Sequence, residues 1–116
     1  MVYICSPLKA NAMHTMEQNL EQAKRICRFC VLHGIFGMAV HLYFSQFLDD
    51  HKAEERACGI QHGITLLGMC TEVWVFGTII SEGMKAEIEY ADAHNIPVKY
   101  YPDIDAWMRS LEVCKS

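Results

Sequence analysis

Four short apolar segments alternate with segments of helical periodicity, and this alternation restricts the possible folds more than any other feature of the sequence. The apolar segments cover residues 2–5, 35–40, 73–76 and 98–101, and their length suits strands that are buried on both faces. Because a helical segment follows each strand, right-handed crossovers must join parallel strands. The sequence therefore predicts a Rossmann-like α/β fold, a parallel sheet of about four strands with helices on both faces.

The helical segments have recognisable boundaries. The first begins at Met16 and ends near Gly34, and the second covers residues 53–67. The third opens after Ser81, a residue type that suits an N-cap, and stops at Asn95. A closing helix follows the last strand. We expect the strand order 2-1-3-4, in which the order reverses between the first and third strands, so that ligands bind at their carboxyl ends.

Three glycines, Gly59, Gly63 and Gly68, interrupt the apolar pattern of the second helix. Each makes an isolated helix less favourable by up to ~1 kcal/mol relative to alanine, so they indicate a close approach of another group to the backbone. That group can be the sheet of the same chain or a helix of a second subunit, and the sequence leaves both interpretations open.

Composition excludes several classes of protein. With 116 residues, 52% of them hydrophobic, the chain can bury one core, and we expect a single domain over residues 1–116. The formal net charge is −4 and the basic residues are scattered, whereas a nucleic-acid partner requires a dense basic face. No apolar run reaches ~18 residues and no signal-peptide pattern precedes the first strand, so we expect no membrane span and a cytoplasmic location.

The six cysteines are unevenly spaced, which indicates reduced thiols and not a disulfide framework. Cys27, Cys30 and His33 repeat at three-residue intervals and would share one face of a helix. A structural zinc site normally needs four ligands, usually from two separated pairs, and the chain has no second Cys-x-x-Cys. The spacing therefore favours buried structural thiols over zinc, and we predict no metal and no cofactor.

Several polar residues fall at the predicted ligand-binding edge of the sheet. Ser6 and His41 come directly after the first two predicted strands. His41 can act as a proton donor or as a hydrogen-bonded structural histidine. Arg56, at the start of the second long helix, can bind an anion or pair with Glu55 or Asp50.

The helix that opens after Ser81 adds an anion site and a carboxylate. Its start, Ser81-Glu82-Gly83, presents unpaired backbone amides and the positive end of the helix macrodipole, which suit a phosphate or a carboxylate. The same residues also suit an ordinary serine N-cap with a glycine for close packing. Glu87 lies one turn further along the helix, where it either faces the cleft or is solvated.

Two segments resemble a known superfamily. The opening Val2-Tyr3-Ile4-Cys5-Ser6-Pro7 and residues 81–91 are similar to the opening and signature segments of the nucleoside 2-deoxyribosyltransferase superfamily, which also includes the 2'-deoxynucleoside 5'-phosphate N-hydrolases. The signature helix of that superfamily has a small or acidic residue, then a glycine, then a glutamate, which here are Ser81, Gly83 and Glu87. Serine at the first of these positions resembles the nucleotide hydrolases. Through the segments 41–44, 46–50, 74–77 and 81–84, nearly the whole chain resembles a group of small, largely phage-encoded proteins.

The resemblance implies an N-glycosidase that cleaves the base–sugar bond of a nucleoside 5'-phosphate or a related nucleotide. Glu87 would be the nucleophile, with Tyr3 and His41 as further catalytic residues. A homo-oligomer is expected, because small members of the superfamily complete their clefts with a neighbouring subunit. The ligand-binding residues that we predict are Ser6, Pro7, Tyr43, Arg56, Gly77, Ser81, Glu82, Gly83 and Met84.

Two alternatives stay open at the level of sequence. The same cleft can belong to a non-catalytic module that binds or sequesters a nucleotide-derived signal, as a phage counter-defence protein would. The chain can also be an oligomeric interaction protein, since Gly59, Gly63, Met69 and Trp74 supply small and large apolar surfaces.

Overall fold

The computed structural model describes residues 1–115, with side chains up to residue 112. The elements in this part of the chain are the strands β1 (Val2–Cys5), β2 (Gly37–Met38), β3 (Glu72–Phe76) and β4 (Val98–Tyr101), and the helices α1 (Met16–Leu32), α2 (Val40–Phe44), α3 (Ala53–Leu67), α4 (Glu82–Ala93) and α5 (Ile104–Lys115). The strands form one parallel sheet in the order β2-β1-β3-β4, which confirms the predicted order. None of the helices in the described residues is long and apolar enough to cross a membrane.

Side chains of the central strands alternate between two apolar layers, one on each face of the sheet. Val2 and Ile4 of β1 enter a layer formed with α1 and α5, which we call the α1/α5 layer. Tyr3 and Cys5 enter the opposite layer, formed with α3 and α4, which we call the α3/α4 layer. Helices therefore cover both faces of the sheet, as the sequence predicts.

The second strand is shorter than predicted. Only Gly37–Met38 pairs with β1, and the chain then turns into α2, so His41 lies in a helix and not directly after a strand. The apolar run of residues 35–40 does not reveal this boundary, because Val40 packs against the α3/α4 layer and would be apolar in either structure. α2 ends at Phe44, and residues 45–52 connect it to α3.

The last strand is an edge strand. β4 pairs with β3 on one side, and its residues Lys99 and Tyr100 are exposed. The prediction of a buried strand over residues 98–101 was therefore wrong, because an apolar run does not show how many neighbours a strand has.

The ends of α1 and α4 follow one pattern. Each helix is followed by a residue with positive φ, Gly34 (76°) and Asn95 (58°), as their residue types predict. The preceding histidine, His33 or His94, stacks on the aromatic ring four positions earlier with 3.9 Å between ring centroids, and its Nδ1 lies 2.8 Å from that residue's carbonyl oxygen. His33 thus belongs to a helix end. The described residues contain no group of three or more His, Cys, Asp or Glu side chains that could hold a metal ion.

Candidate functional site

A cleft of about 670 Å³ lies where the segments that follow β1 and β3 meet α2, α3 and the first turns of α4. This is the edge at which the strand order reverses, the usual place for ligands in sheets of this kind. The predicted site residues that line the cleft are Tyr3, Ser6, His41, Arg56, Ser81, Glu82, Gly83, Met84 and Glu87.

The carboxylate of Glu87 is the chemically most unusual group in the cleft. The Tyr3 hydroxyl donates a hydrogen bond to Glu87 Oε2, and the Cys5 thiol lies 3.7 Å from Glu87 Oε1 as a second donor. Burial raises the pKa of Glu87 to about 7, although both hydrogen bonds favour the charged form and oppose this increase. Near neutral pH, Glu87 is therefore present both as a carboxylate and as a carboxylic acid.

The donors around Glu87 keep their protons. Burial, together with the neighbouring Glu87 carboxylate, raises the pKa values of the Tyr3 phenol and the Cys5 thiol far above their ordinary ranges. Both groups are therefore neutral hydrogen-bond donors near neutral pH.

Strand and helix geometry bring these three side chains together. Tyr3 and Cys5 are two residues apart on β1 and so point to the same face of the sheet. Met84 is buried in the α3/α4 layer and anchors α4 one turn before Glu87. On α3, a Cβ atom at Gly63 would lie 3.4 Å from the Tyr3 hydroxyl and 3.3 Å from Val40. Gly63 therefore lets α3 pack closely within the same chain, one of the two interpretations that the glycine pattern left open.

His41 and Ser6 form a second polar pair in the cleft. Ser6 Oγ lies 3.2 Å from Nε2 of His41, within hydrogen-bond distance. Burial lowers the pKa of His41 to about 4. The imidazole is therefore neutral near pH 7. In this form one ring nitrogen donates a hydrogen bond and the other accepts one, and the ring does not carry the second proton of an imidazolium ion.

At the start of α4, the Ser81 side chain accepts a hydrogen bond from the Met84 backbone amide over 3.3 Å. Ser81 thus serves as the N-cap, which was the ordinary interpretation of this motif. Glu82 is exposed and lies 3.9 Å from Lys85. A Cβ atom at Gly83 would meet no atom within 4 Å, so the backbone here is open to a ligand.

The charged side chains at the α3 end of the cleft are only partly paired. Glu55 pairs with Lys52 at 3.7 Å, and Arg56 takes part in no salt bridge among the described residues. The predicted alternative of an ion pair between Arg56 and Glu55 or Asp50 is therefore not formed. Asp50 Oδ2 is buried and has no hydrogen-bond partner within the described part of the chain.

Three predicted site residues do not line the cleft. Pro7 is absent from the lining, although its neighbours Ser6 and Leu8 belong to it. Tyr43 is 60% exposed and packs against Phe47 outside the cleft, with 5.0 Å between ring centroids. Gly77 ends β3 with a φ of 91°, a conformation that favours glycine, and its amide donates to the Tyr101 carbonyl over 3.1 Å.

Three further residues were not predicted as site residues: Cys5, which lies beside Glu87, and Gly63 and Asp50, which line the cleft. Cys5 could have been found from the strand alternation, since it follows Tyr3 by two positions. Gly63 carried a signal in the glycine pattern of α3. Asp50 carried none as a site residue, because an aspartate in a polar loop is typical of any solvent-exposed turn.

Comparisons with known proteins add three findings. The fold resembles that of the 2-deoxyribosyltransferase from the psychrotolerant bacterium Bacillus psychrosaccharolyticus, with a TM-score of 0.61 and 14% sequence identity over 85% of this chain and 69% of that chain. At this identity the likeness concerns the fold. Curated proteins include no match to the sequence. The family model of the domain of unknown function DUF7768 matches residues 1–101, so the chain belongs to the DUF7768 family.

Proposed function

We propose that the chain is an N-glycosidase that cleaves the base–sugar bond of a nucleoside-type small molecule, in particular a nucleoside 5'-phosphate. One observation carries this proposal: the half-buried carboxyl group of Glu87 lines the cleft and has a neutral donor at each of its two oxygens. The likeness of the fold to that of a 2-deoxyribosyltransferase supports it.

The chemistry would follow the two-step course of retaining glycosidases. A Glu87 oxygen attacks the anomeric carbon, the bond between that carbon and the base nitrogen breaks, and its electron pair leaves with the base. Water then attacks the anomeric carbon and the ester bond to Glu87 breaks, which restores the carboxylate. One proton from the water ends on the departed base or in solvent. Tyr3 would orient the carboxylate through its hydrogen bond.

His41 has a smaller part in this proposal than the sequence predicts. Its imidazole is neutral near pH 7 because burial lowers its pKa to about 4. A neutral imidazole is a poor general acid, so we assign to His41, with Ser6, a hydrogen bond to the ligand and not the protonation of the base. Tyr43 lies outside the cleft and has no role in the proposal.

The phosphate would bind between Arg56, Ser6 and the first amides of α4 at Gly83. Arg56 and Lys9 are the cations that line the cleft, and neither forms a salt bridge among the described residues. We expect 2'-deoxynucleoside 5'-monophosphates to have a higher kcat/KM than the matching nucleosides. Arg56→Gln should reduce that preference about tenfold, and Arg28→Gln, on the exposed side of α1, should leave it unchanged. No preference for the monophosphates would contradict the phosphate part of the proposal.

Release of free base is the decisive measurement. Nucleosides and nucleotides are incubated with the parent protein and the products are separated by chromatography. Glu87→Gln should lower base release at least ~10²-fold, because it removes the nucleophile while leaving a side chain of nearly the same shape. Glu89→Gln is the matched control, since Glu89 is exposed on the same helix. Unchanged base release by Glu87→Gln would contradict the proposal.

A non-catalytic binding module is the second candidate, and the pKa of Glu87 favours it. A carboxyl group with a pKa of about 7 is partly protonated at neutral pH and can donate to, or accept from, a sugar hydroxyl without reacting. In that case the parent binds a nucleotide and releases no base. Glu87→Gln should then weaken binding by about 1 to 3 kcal/mol, which calorimetry would measure.

We further propose that the protein is a homo-oligomer. Large apolar side chains are exposed on α2, α3 and the segment between them, at Tyr43, Phe47 and Ile60, and an apolar surface of this kind is typical of an interface. Light scattering at working concentration should give a mass above that of one chain. A monomer would contradict this part.

A further inference from the structure

We propose that Cys5 is a positioning residue for Glu87, whose thiol holds one carboxylate oxygen while the Tyr3 hydroxyl holds the other. The importance of this contact for turnover rests on the proposed function. The contact itself does not, and it can be tested without substrate.

The geometry assigns one donor to each carboxylate oxygen. Tyr3 donates to Oε2, and the Cys5 sulfur lies 3.7 Å from Oε1. Both donors come from β1, which pairs with β2 and β3, so their separation is set by the centre of the sheet and not by a loop. Two donors on one rigid strand define the plane of the carboxylate more closely than one donor does.

The Cys5 thiol can change its hydrogen-bond acceptor when Glu87 gains or loses its proton. It is completely buried, and its raised pKa keeps the proton on sulfur. Its hydrogen has a second acceptor, the Met84 carbonyl oxygen at 4.0 Å. When Glu87 is ionised, the S–H group should point to the carboxylate, since hydrogen bonds to charged acceptors are stronger. When Glu87 is protonated, the S–H group can turn to Met84.

Few other groups compete with this contact. Glu87 takes part in no salt bridge among the described residues, and the groups whose hydrogen bonds lower its pKa are Tyr3 and Cys5. The remaining titratable or charged groups that line the cleft come from other segments: Lys9, His41, Asp49, Asp50, His51, Glu55, Arg56 and Glu82.

Titration of the carboxyl group tests the assignment directly. Glutamate labelled with ¹³C at the side-chain carboxyl carbon is followed by NMR, and the Glu87 signal is identified by its absence from Glu87→Gln. Cys5→Ala should raise the midpoint of this signal by about half a pH unit, because the charged form loses a donor. Cys5→Ser, which keeps a donor, should return the midpoint to the parent value or below it.

Cys70→Ala is the matched control. Cys70 is buried in the same α3/α4 layer, but its thiol donates to the Leu66 carbonyl at 3.4 Å, so its removal should leave the Glu87 midpoint in place. Cys5→Val fills the volume without a donor and replaces Cys5→Ala if the smaller side chain prevents folding. Equal midpoints in the parent, the serine variant and either apolar variant would overturn the assignment.

Base release separates this inference from the proposed function. If the parent releases base, the rising limb of its pH–rate profile should shift in the same order as the NMR midpoints. If the midpoints shift as expected but the parent releases no base from any substrate, the proposed function fails and the contact between Cys5 and Glu87 stands.

Discussion

Both faces of the sheet bury their side chains to a similar degree, but the surroundings of those side chains differ in chemistry. On the α1/α5 layer, β1 contributes Val2 and Ile4, and the buried neighbours are apolar or aromatic. On the α3/α4 layer, the same strand contributes Tyr3 and Cys5, and a carboxyl group lies beside them. Burial stabilises the first face by removing apolar surface from water. On the second face, burial also changes the ionisation of Glu87.

The α1/α5 layer contains a cluster of five aromatic rings around Trp107. Its ring lies 4.8 Å from Phe76, 5.2 Å from Phe29, 5.9 Å from Tyr101 and 6.0 Å from Trp74, measured between ring centroids. The indole N–H of Trp74 donates to Glu72 over 2.9 Å, so the polar group of this side chain has a partner. This face therefore contributes packing and takes no part in the cleft.

The largest effect on stability is expected from Trp107→Ala. Removal of an indole that is 4% exposed should lower the free energy of unfolding by about 3 to 5 kcal/mol. Tyr100→Ala, which removes an exposed ring from β4, should have a small effect. Urea unfolding measures both. In the folded Trp107→Ala protein, the Glu87 titration midpoint should not move; a shift would show that the two faces are coupled.

Glu87→Gln should make the protein more stable at neutral and higher pH. The pKa of Glu87 is raised from 4.5 to about 7, so its contribution to stability is fully present below pH 4.5 and is lost as the pH rises through 7. The loss is on the order of 3 kcal/mol. Unfolding of Glu87→Gln and the parent at pH 5 and pH 8 checks this. A parent that is as stable as the variant at pH 8 would contradict the raised pKa.

His41 should affect the pH dependence of the free energy of unfolding with the opposite sign, and His41→Gln should remove this effect. The pKa of His41 is lowered from 6.5 to about 4, so its contribution is present above pH 6.5 and is lost as the pH falls through 4. Between about pH 4.5 and 6.5, the effects of Glu87 and His41 on the free energy of unfolding oppose each other.

The two effects are separated by measuring the free energy of unfolding of the parent and each variant between about pH 4.5 and 6.5. His41→Gln should become less stable as the pH rises, and Glu87→Gln more stable, each by on the order of 3 kcal/mol. His62→Gln, at an exposed position of α3, should behave as the parent does. Parallel pH profiles for all four proteins would show that neither group is perturbed by burial.

Gly83→Val should give the smallest effect and leave the fold intact. A Cβ atom at Gly83 meets no atom within 4 Å, so the free energy of unfolding should change little. If an anion docks on the first amides of α4, the added methyl groups should weaken nucleotide binding about tenfold by blocking the backbone. Ala86→Val, on the exposed side of the same helix, is the control. Parent-like affinity in the folded Gly83→Val protein would place the anion elsewhere.

The sequence by itself determined that there are four strands, their order in the sheet and the ends of the long helices. Apolar runs, helical spacing and residues such as Ser81, Gly34 and Asn95 act through neighbours in the chain, and parallel crossovers allow few topologies. The same reasoning placed Ser6 and Gly83 at one edge of the sheet, because Ser6 directly follows β1 and Gly83 lies in the first turn of α4.

Only the tertiary structure decided the contacts, the burial and the ion pairing of these residues. The early end of β2, the helical position of His41 and the edge position of β4 depend on packing between segments far apart in sequence. The pKa of Glu87 depends on its burial and on donors 82 and 84 residues away. Arg56 forms no ion pair among the described residues, and the neighbouring Glu55 pairs with Lys52. Ionisation and pairing are set by three-dimensional surroundings, which residue type and spacing do not specify.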